Sequence, residues 1–123
     1  MMQQHKNACV LCQDNVEEAV DHLFFQCSFA AHCWDTLNIQ WNMNLHIHDR
    51  ILQARHSSAL PFFMEICIIT MWEIWKLWNR KVFDGHQVSG TIWITRFKDE
   101  VRLQSLRLKE TQRVAIFSWL NQL

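Results

Sequence analysis

The run CVLCQDNVEEAVDHLFFQC sets Cys9, Cys12, His22 and Cys27 at the spacing C-x2-C-x9-H-x4-C, and no other feature constrains the fold as much. A Cys-x-x-Cys turn can present two thiolates to one cation. A His and a Cys five positions apart can supply two more ligands from a helix end or the turn after it. Three sulfurs and one imidazole nitrogen make a closed tetrahedral set, the ligand pattern of structural zinc. A closed set leaves no position for water or substrate, so the expectation is one structural Zn2+ acting as a folding staple. The same residues also admit a second reading, as buried thiols without metal.

At 123 residues the chain is long enough for one domain, or for a small zinc unit followed by a helical extension. We read residues 1–45 as the zinc unit and 46–123 as the extension. Half of the residues are apolar, including seven Trp and eight Phe, which is ample material for a core. One Pro and two Gly argue for helices with short connections and against many β-turns. Five Cys behind a polar N-terminus, MMQQHKNAC, point to a reducing intracellular compartment, nucleus or cytoplasm. The stretch from Leu60 to Leu77 is interrupted by Glu65, Glu73 and Lys76, too charged for a membrane span and suited to a buried helix.

The expected class is mainly α: a small zinc-stapled N-terminal unit packed with or followed by two or three longer helices. Residues 1–13 read as extended. Asp14 or Asn15 can cap a helix over about 16–26, with Glu17 or Glu18 completing a capping box. That helix puts Val16, Val20, Leu23 and Phe24 on one face and turns His22 toward the metal. Ser28 can cap the next, about 29–38, whose Phe29, Cys33, Trp34 and Leu37 share a face. A short helix fits 49–56. Pro61 suits the first turn of a long helix reaching about Phe83, with Ile66, Ile69, Trp72, Trp75, Asn79, Val82 and Phe83 as its core stripe. After the turn DGHQVSG, Ser89 or Thr91 starts a helix over about 91–111, with Ile94, Phe97, Val101 and Leu108 inward. Val114 to Leu120 continues it or forms a separate helix.

Several blocks of the chain carry a resemblance. CVLC, the paired acids Glu17 and Glu18, DHLFFQC, and Trp34 in SFAAHCW together resemble the zinc-binding region of plant non-LTR (LINE-type) retrotransposon reverse transcriptases. The C-x2-C start and H-x4-C end are also shared with retroviral zinc knuckles, although the nine-residue middle is longer here. WEIWKLWNRKVFDG, from Trp72 to Gly85, resembles the segment that follows the zinc-binding region in those polyproteins, of the form W-x-IW-x-x-RN-x-x-VF. Trp78 stands where that pattern has Arg. The resemblance spans roughly residues 8–110, with little of it between 39 and 60. It implies a nucleic-acid-associated module and supplies no catalytic residue, because the polymerase and endonuclease lie upstream in those polyproteins. It further implies that the chain is truncated at its N-terminus, where family members carry an upstream helical stretch.

Enzymatic motifs are missing. With no Tyr the chain has no Tyr-x-Asp-Asp polymerase motif, and two glycines make neither a phosphate loop nor a dinucleotide fingerprint. We therefore expect no enzyme. Cys33 and Cys67 lie on apolar faces as small hydrophobes. His46, His48 and Asp49 in LHIHD read as a surface loop in preference to a second metal site, and nothing in the sequence marks His32 or His86. Trp72, Trp75 and Trp78 read as core in preference to a base-stacking platform.

Charge is unevenly spread although the formal net charge is zero. Residues 1–49 hold one cation against six acids, and residues 50–123 hold eleven against six. Phosphate binding depends on clustered Lys and Arg, so any RNA or DNA contact belongs to the second half. The candidates are Lys76, Arg80, Lys81, Arg102, Arg107 and Arg113. The leading function is thus a non-catalytic zinc-binding module with weak, sequence-independent nucleic-acid binding. The alternatives are a zinc-stabilised protein-interaction unit, self-associating through exposed apolar surface, and a non-functional remnant of a decayed retroelement.

Overall fold

A computed structural model describes residues 20–58, 60 and 62–123. Among these there are six helices and no strand: α1 (His22–Gln26), α2 (Ser28–Thr36), α3 (Ile47–Ser57), α4 (Phe63–Asp84), α5 (Gly90–Ser105) and α6 (Glu110–Leu120). The expected mainly α class holds. The zinc-stapled unit depends on residues 1–19, and the helix start at Asp14 or Asn15, Val16, Cys9 and Cys12 all lie outside the described residues. No described helix is long and apolar enough to cross a membrane.

The central element is α5, which packs along α4 and also meets α2 and α6, while α1 leans on α2. Its inner face carries Trp93, Phe97 and Val101, all essentially removed from water. They join Leu23, Cys27 and Trp34 from the first third of the chain and Ile66, Ile74, Leu77 and Leu120 in one apolar cluster. Burying each large apolar side chain of that cluster stabilises the fold by about 1.5–3 kcal/mol.

Helix α4 is apolar over much of its circumference, and the face it buries is only partly the expected one. Ile66 and Ile69 are buried and Trp78 packs against the core as expected, while most of the stripe turns outward. Phe63, Ile66, Cys67, Thr70, Ile74 and Leu77 face the core, with Ile69 at its edge. Trp72 and Trp75 are 48% and 41% exposed, and Val82 and Phe83 are exposed too. The assignment of these Trp residues to the core is therefore corrected. Both stripes recur at helical spacing, so periodicity alone had no means of choosing between them.

Helix ends follow local chemistry. Ser89 caps α5, its Oγ accepting the Ile92 N–H at 3.1 Å, as expected. Gly90 packs under His32: a Cβ there would lie 2.7 Å from His32 Nε2, so a larger residue would require that exposed ring to turn aside. α5 stops at Ser105, short of the expected 111, and α6 is a separate helix. Buried Ser105 turns its hydroxyl back to the Arg102 carbonyl at 2.8 Å, a local bond that competes with helix propagation. Phe62 precedes α4 in the left-handed region, φ 58°. That costs roughly 1–2 kcal/mol, offset by packing its ring on the core.

Candidate metal centre

Between His22 and Cys27 the chain forms a π-helical turn in place of the expected α-helix. The Cys27 N–H reaches back to the His22 carbonyl at 2.7 Å, an i→i+5 bond. In an α-helix five steps carry a side chain about 140° around the axis from where it began. The wider π-turn reduces that divergence and places the Cys27 backbone one turn beyond that of His22. Both residues are buried, Cys27 fully. Cys27 is also the N-cap of α2, its carbonyl accepting the Ala31 N–H at 2.8 Å, and the partial positive charge of a helix N-terminus favours an anionic sulfur.

The turn is pinned from three sides. Arg50 is buried at the start of α3 and donates from Nη1 to Asp21 Oδ1 at 2.9 Å. Its Nη2 bonds the Leu45 carbonyl at 2.9 Å and its Nε the Asn42 carbonyl at 3.3 Å. The same guanidinium lies 4.7 Å from the centroid of Phe25. Trp34 Nε1 donates to the Phe24 carbonyl at 2.7 Å, inside the turn itself. Phe25, Trp34 and Trp41 then form an aromatic knot, with ring centroids 4.9 to 6.3 Å apart. Asp21 and Phe25 flank His22 in sequence, so one arginine and one tryptophan anchor the backbone segment that carries His22 and Cys27.

Arg50 is the residue that sequence reasoning missed. It counted there only as one basic residue of the second half, and its partner Asp21 is twenty-nine positions away. No local pattern announces such a clasp. Trp34 had a signal, since it stands in the SFAAHCW block.

Of the four expected ligands, then, His22 and Cys27 are buried and joined by a backbone bond, while Cys9 and Cys12 lie outside the described residues. Among the described residues no three His, Cys, Asp or Glu side chains cluster closely enough to hold a metal. His46 caps α3 and His48 is a surface residue whose Nδ1 lies 3.8 Å from Asp49 Oδ1. Cys33 and Cys67 are buried thiols: burial pushes Cys67 up to about 12 and Cys33 higher still, so neither is a nucleophile at neutral pH.

The six basic candidates are spread over α4, α5, α6 and the α5–α6 turn. Four have local partners: Lys76 pairs with Glu73 at 2.8 Å, Arg80 bonds His86 Nδ1, Arg102 lies 3.6 Å from Asp99, and Arg107 bonds Gln104 at 2.7 Å. Lys81 and Arg113 are half-buried. No single basic stripe emerges from these contacts. Comparison of the chain with protein-family models, curated proteins and solved structures finds no match.

Proposed function

We propose that this chain is a non-catalytic helical module held by one structural zinc ion, of the kind that accompanies the reverse transcriptases of plant non-LTR retrotransposons. Cys9, Cys12, His22 and Cys27 would be the ligands. The observation that supports this reading is the π-turn, in which a backbone bond from Cys27 to His22 joins two buried residues of the expected ligand set. The donor set suits the ion: three thiolates and an imidazole match the preference of Zn2+ for sulfur and nitrogen in a closed tetrahedron. When bound, zinc would tie the segment around Cys9–Cys12 to the α1–α2 junction, with on the order of 10 kcal/mol of binding energy available to folding. Arg50 and Trp34, by holding the turn, would limit how far His22 and Cys27 must move to serve.

The experiment is elemental analysis of the purified full chain combined with chelation. One zinc per chain is expected, with loss of helical circular dichroism on strong chelation. Cys27→Ser should weaken zinc while Cys33→Ala leaves it unchanged. A metal-free protein whose dichroism ignores chelator overturns the reading.

Nucleic acid is a second reading, favoured by the surplus of cations in residues 50–123. With four of the six candidate cations already engaged, contacts should be few. Each phosphate contact adds a salt slope of about 0.7 on single strands. Binding to single-stranded RNA should therefore be weak and vanish when Arg102 and Arg107 are both replaced by Glu.

A further inference from the structure

Helix α4 shows solvent a second apolar stripe. The exposed positions Glu65, Ile68, Trp72, Trp75 and Val82, with half-buried Asn79 before the last, alternate in steps of three and four. That is the a/d spacing by which one helix lies along another. Trp72 and Trp75 form its middle, stacked with centroids 5.4 Å apart. Beside its N-terminal half opens a groove of about 620 Å³, walled by Ile66, Ile68 and Ile69 of α4 together with Val101, Leu108 and Ile116. At its C-terminal end stands Phe83, 75% exposed, the most exposed large apolar side chain among the described residues.

We propose that two copies of the chain pair through α4 in antiparallel orientation, the Phe83 ring of each entering the groove of the other. A twofold axis between Glu73 and Ile74 sets Trp72 level with the other copy's Trp75, and Phe83 level with Met64. The groove's α4 wall begins at Glu65, one residue or about 1.5 Å further along. Knob and groove lie on one helix at matching distances from its centre, as an isologous interface requires.

Charge selects the direction. Glu65 lies at one end of the stripe and Arg80 near the other. The antiparallel arrangement brings Glu65 of each copy within about a turn of the other's Arg80, a cation whose present partner, His86, is uncharged in its neutral form, and opposes the two helix dipoles. A parallel pair would set Glu65 against Glu65 and Arg80 against Arg80. An exposed tryptophan stack can also take nucleic-acid bases. Here the adjoining groove is mostly apolar and edged by Glu65, Glu100 and Arg107; Arg107 is bonded to Gln104, and Lys76, 5.4 Å from the Trp72 ring, is committed to Glu73. With both cations engaged and two acids on the rim, the face favours a protein helix over phosphate.

Sedimentation velocity on the full chain over a wide concentration range tests this. A reversible dimer is expected, with dissociation constant raised about tenfold or more by Trp72→Glu or Phe83→Asp, while the monomers keep wild-type dichroism. Glu65→Arg and Arg80→Glu should each weaken the dimer, and the two together in one chain should restore it. That rescue remains informative even if one apolar variant fails to fold. A chain that stays monomeric throughout overturns the proposal, as does a dimer indifferent to Trp72→Glu and Phe83→Asp, or one that the paired charge reversal fails to restore. A monomer whose tryptophan fluorescence is quenched saturably by oligouridylate, and no longer so in Trp72→Ala, also overturns it and assigns the face to single strands.

Discussion

Glu73 and Arg96 clasp α4 to α5 through a carboxylate that is almost wholly buried: Glu73 Oε1 accepts from Arg96 Nε at 2.9 Å. The other oxygen, Oε2, takes Lys76 Nζ at 2.8 Å. A buried charge with two partners tolerates loss of neither cheaply. Arg96→Met should destabilise by about 3 kcal/mol, near the low end for breaking a buried pair because Lys76 remains. Urea denaturation measures it. Combining Arg96→Met with Glu73→Gln should cost less than the sum of the two single changes, since the residues share one interaction.

Arg50 should matter as much, for a different reason. Its three donors and its ring contact hold the π-turn. Arg50→Met is expected to cost about 3 kcal/mol of stability and to weaken zinc about tenfold, the low end for outer-shell partners of a metal ligand. Arg50→Lys should not rescue either effect, because an ammonium cannot reproduce the guanidinium's fixed fork. Thermal denaturation and competition with a chromogenic chelator read the two effects separately.

The tryptophans divide into two energetic classes. Trp34→Ala removes a buried ring and the bond to the Phe24 carbonyl, and should destabilise by about 3–5 kcal/mol. Trp72→Ala and Trp75→Ala should each cost less than about 1 kcal/mol, the range of surface changes, when unfolding is followed at low protein concentration.

Asn38 ends α2 in the left-handed region, φ 59°. Its N–H bonds the Asp35 carbonyl at 3.0 Å, and the Ile39 N–H bonds the Trp34 carbonyl at 3.0 Å, a Schellman closure. Asn38→Ala should cost about 1 kcal/mol because a Cβ without a polar tip is strained there. Asn38→Gly should be neutral or slightly stabilising. Paired melting curves of the two variants decide it.

Buried thiols should make the fold sensitive to alkali. Unfolded cysteines ionise near pH 8.5, whereas burial holds Cys67 protonated up to about 12. A folded-state value above the unfolded one gives stability that is complete below about pH 8.5 and is lost as pH rises toward 12. The slope contributed by one such thiol approaches about 1.4 kcal/mol per pH unit. With no Tyr in the chain, fewer other groups titrate in this window. Cys67→Ala should flatten the slope of urea stability between pH 8.5 and 10.

Helix content was legible because helices are written in local terms. Scarce Gly and Pro, the Ser89 cap, and the i, i+4 spacing of Phe29, Cys33 and Leu37 each act within a few residues, and the elements they foretell are present. The spacing of His22 and Cys27 was legible, while the π-turn that joins their backbones was not. That turn is stabilised by Trp34, ten positions from the carbonyl it bonds, and by Arg50, twenty-nine positions from Asp21.

The face of α4 shows the same division. Composition and period determined by themselves that residues 63–84 form a long apolar helix. Which of its two stripes is buried was decided by α5, whose Trp93 and Phe97 meet one side and leave Trp72 and Trp75 to solvent. Likewise His32, unmarked in the sequence, acquires Gly90 as a neighbour only when the helices pack. Local chemistry thus determined the elements. Tertiary packing decided their faces, the anchors of the π-turn and the apolar surface left open, because each of those depends on atoms that are close in space and distant along the chain.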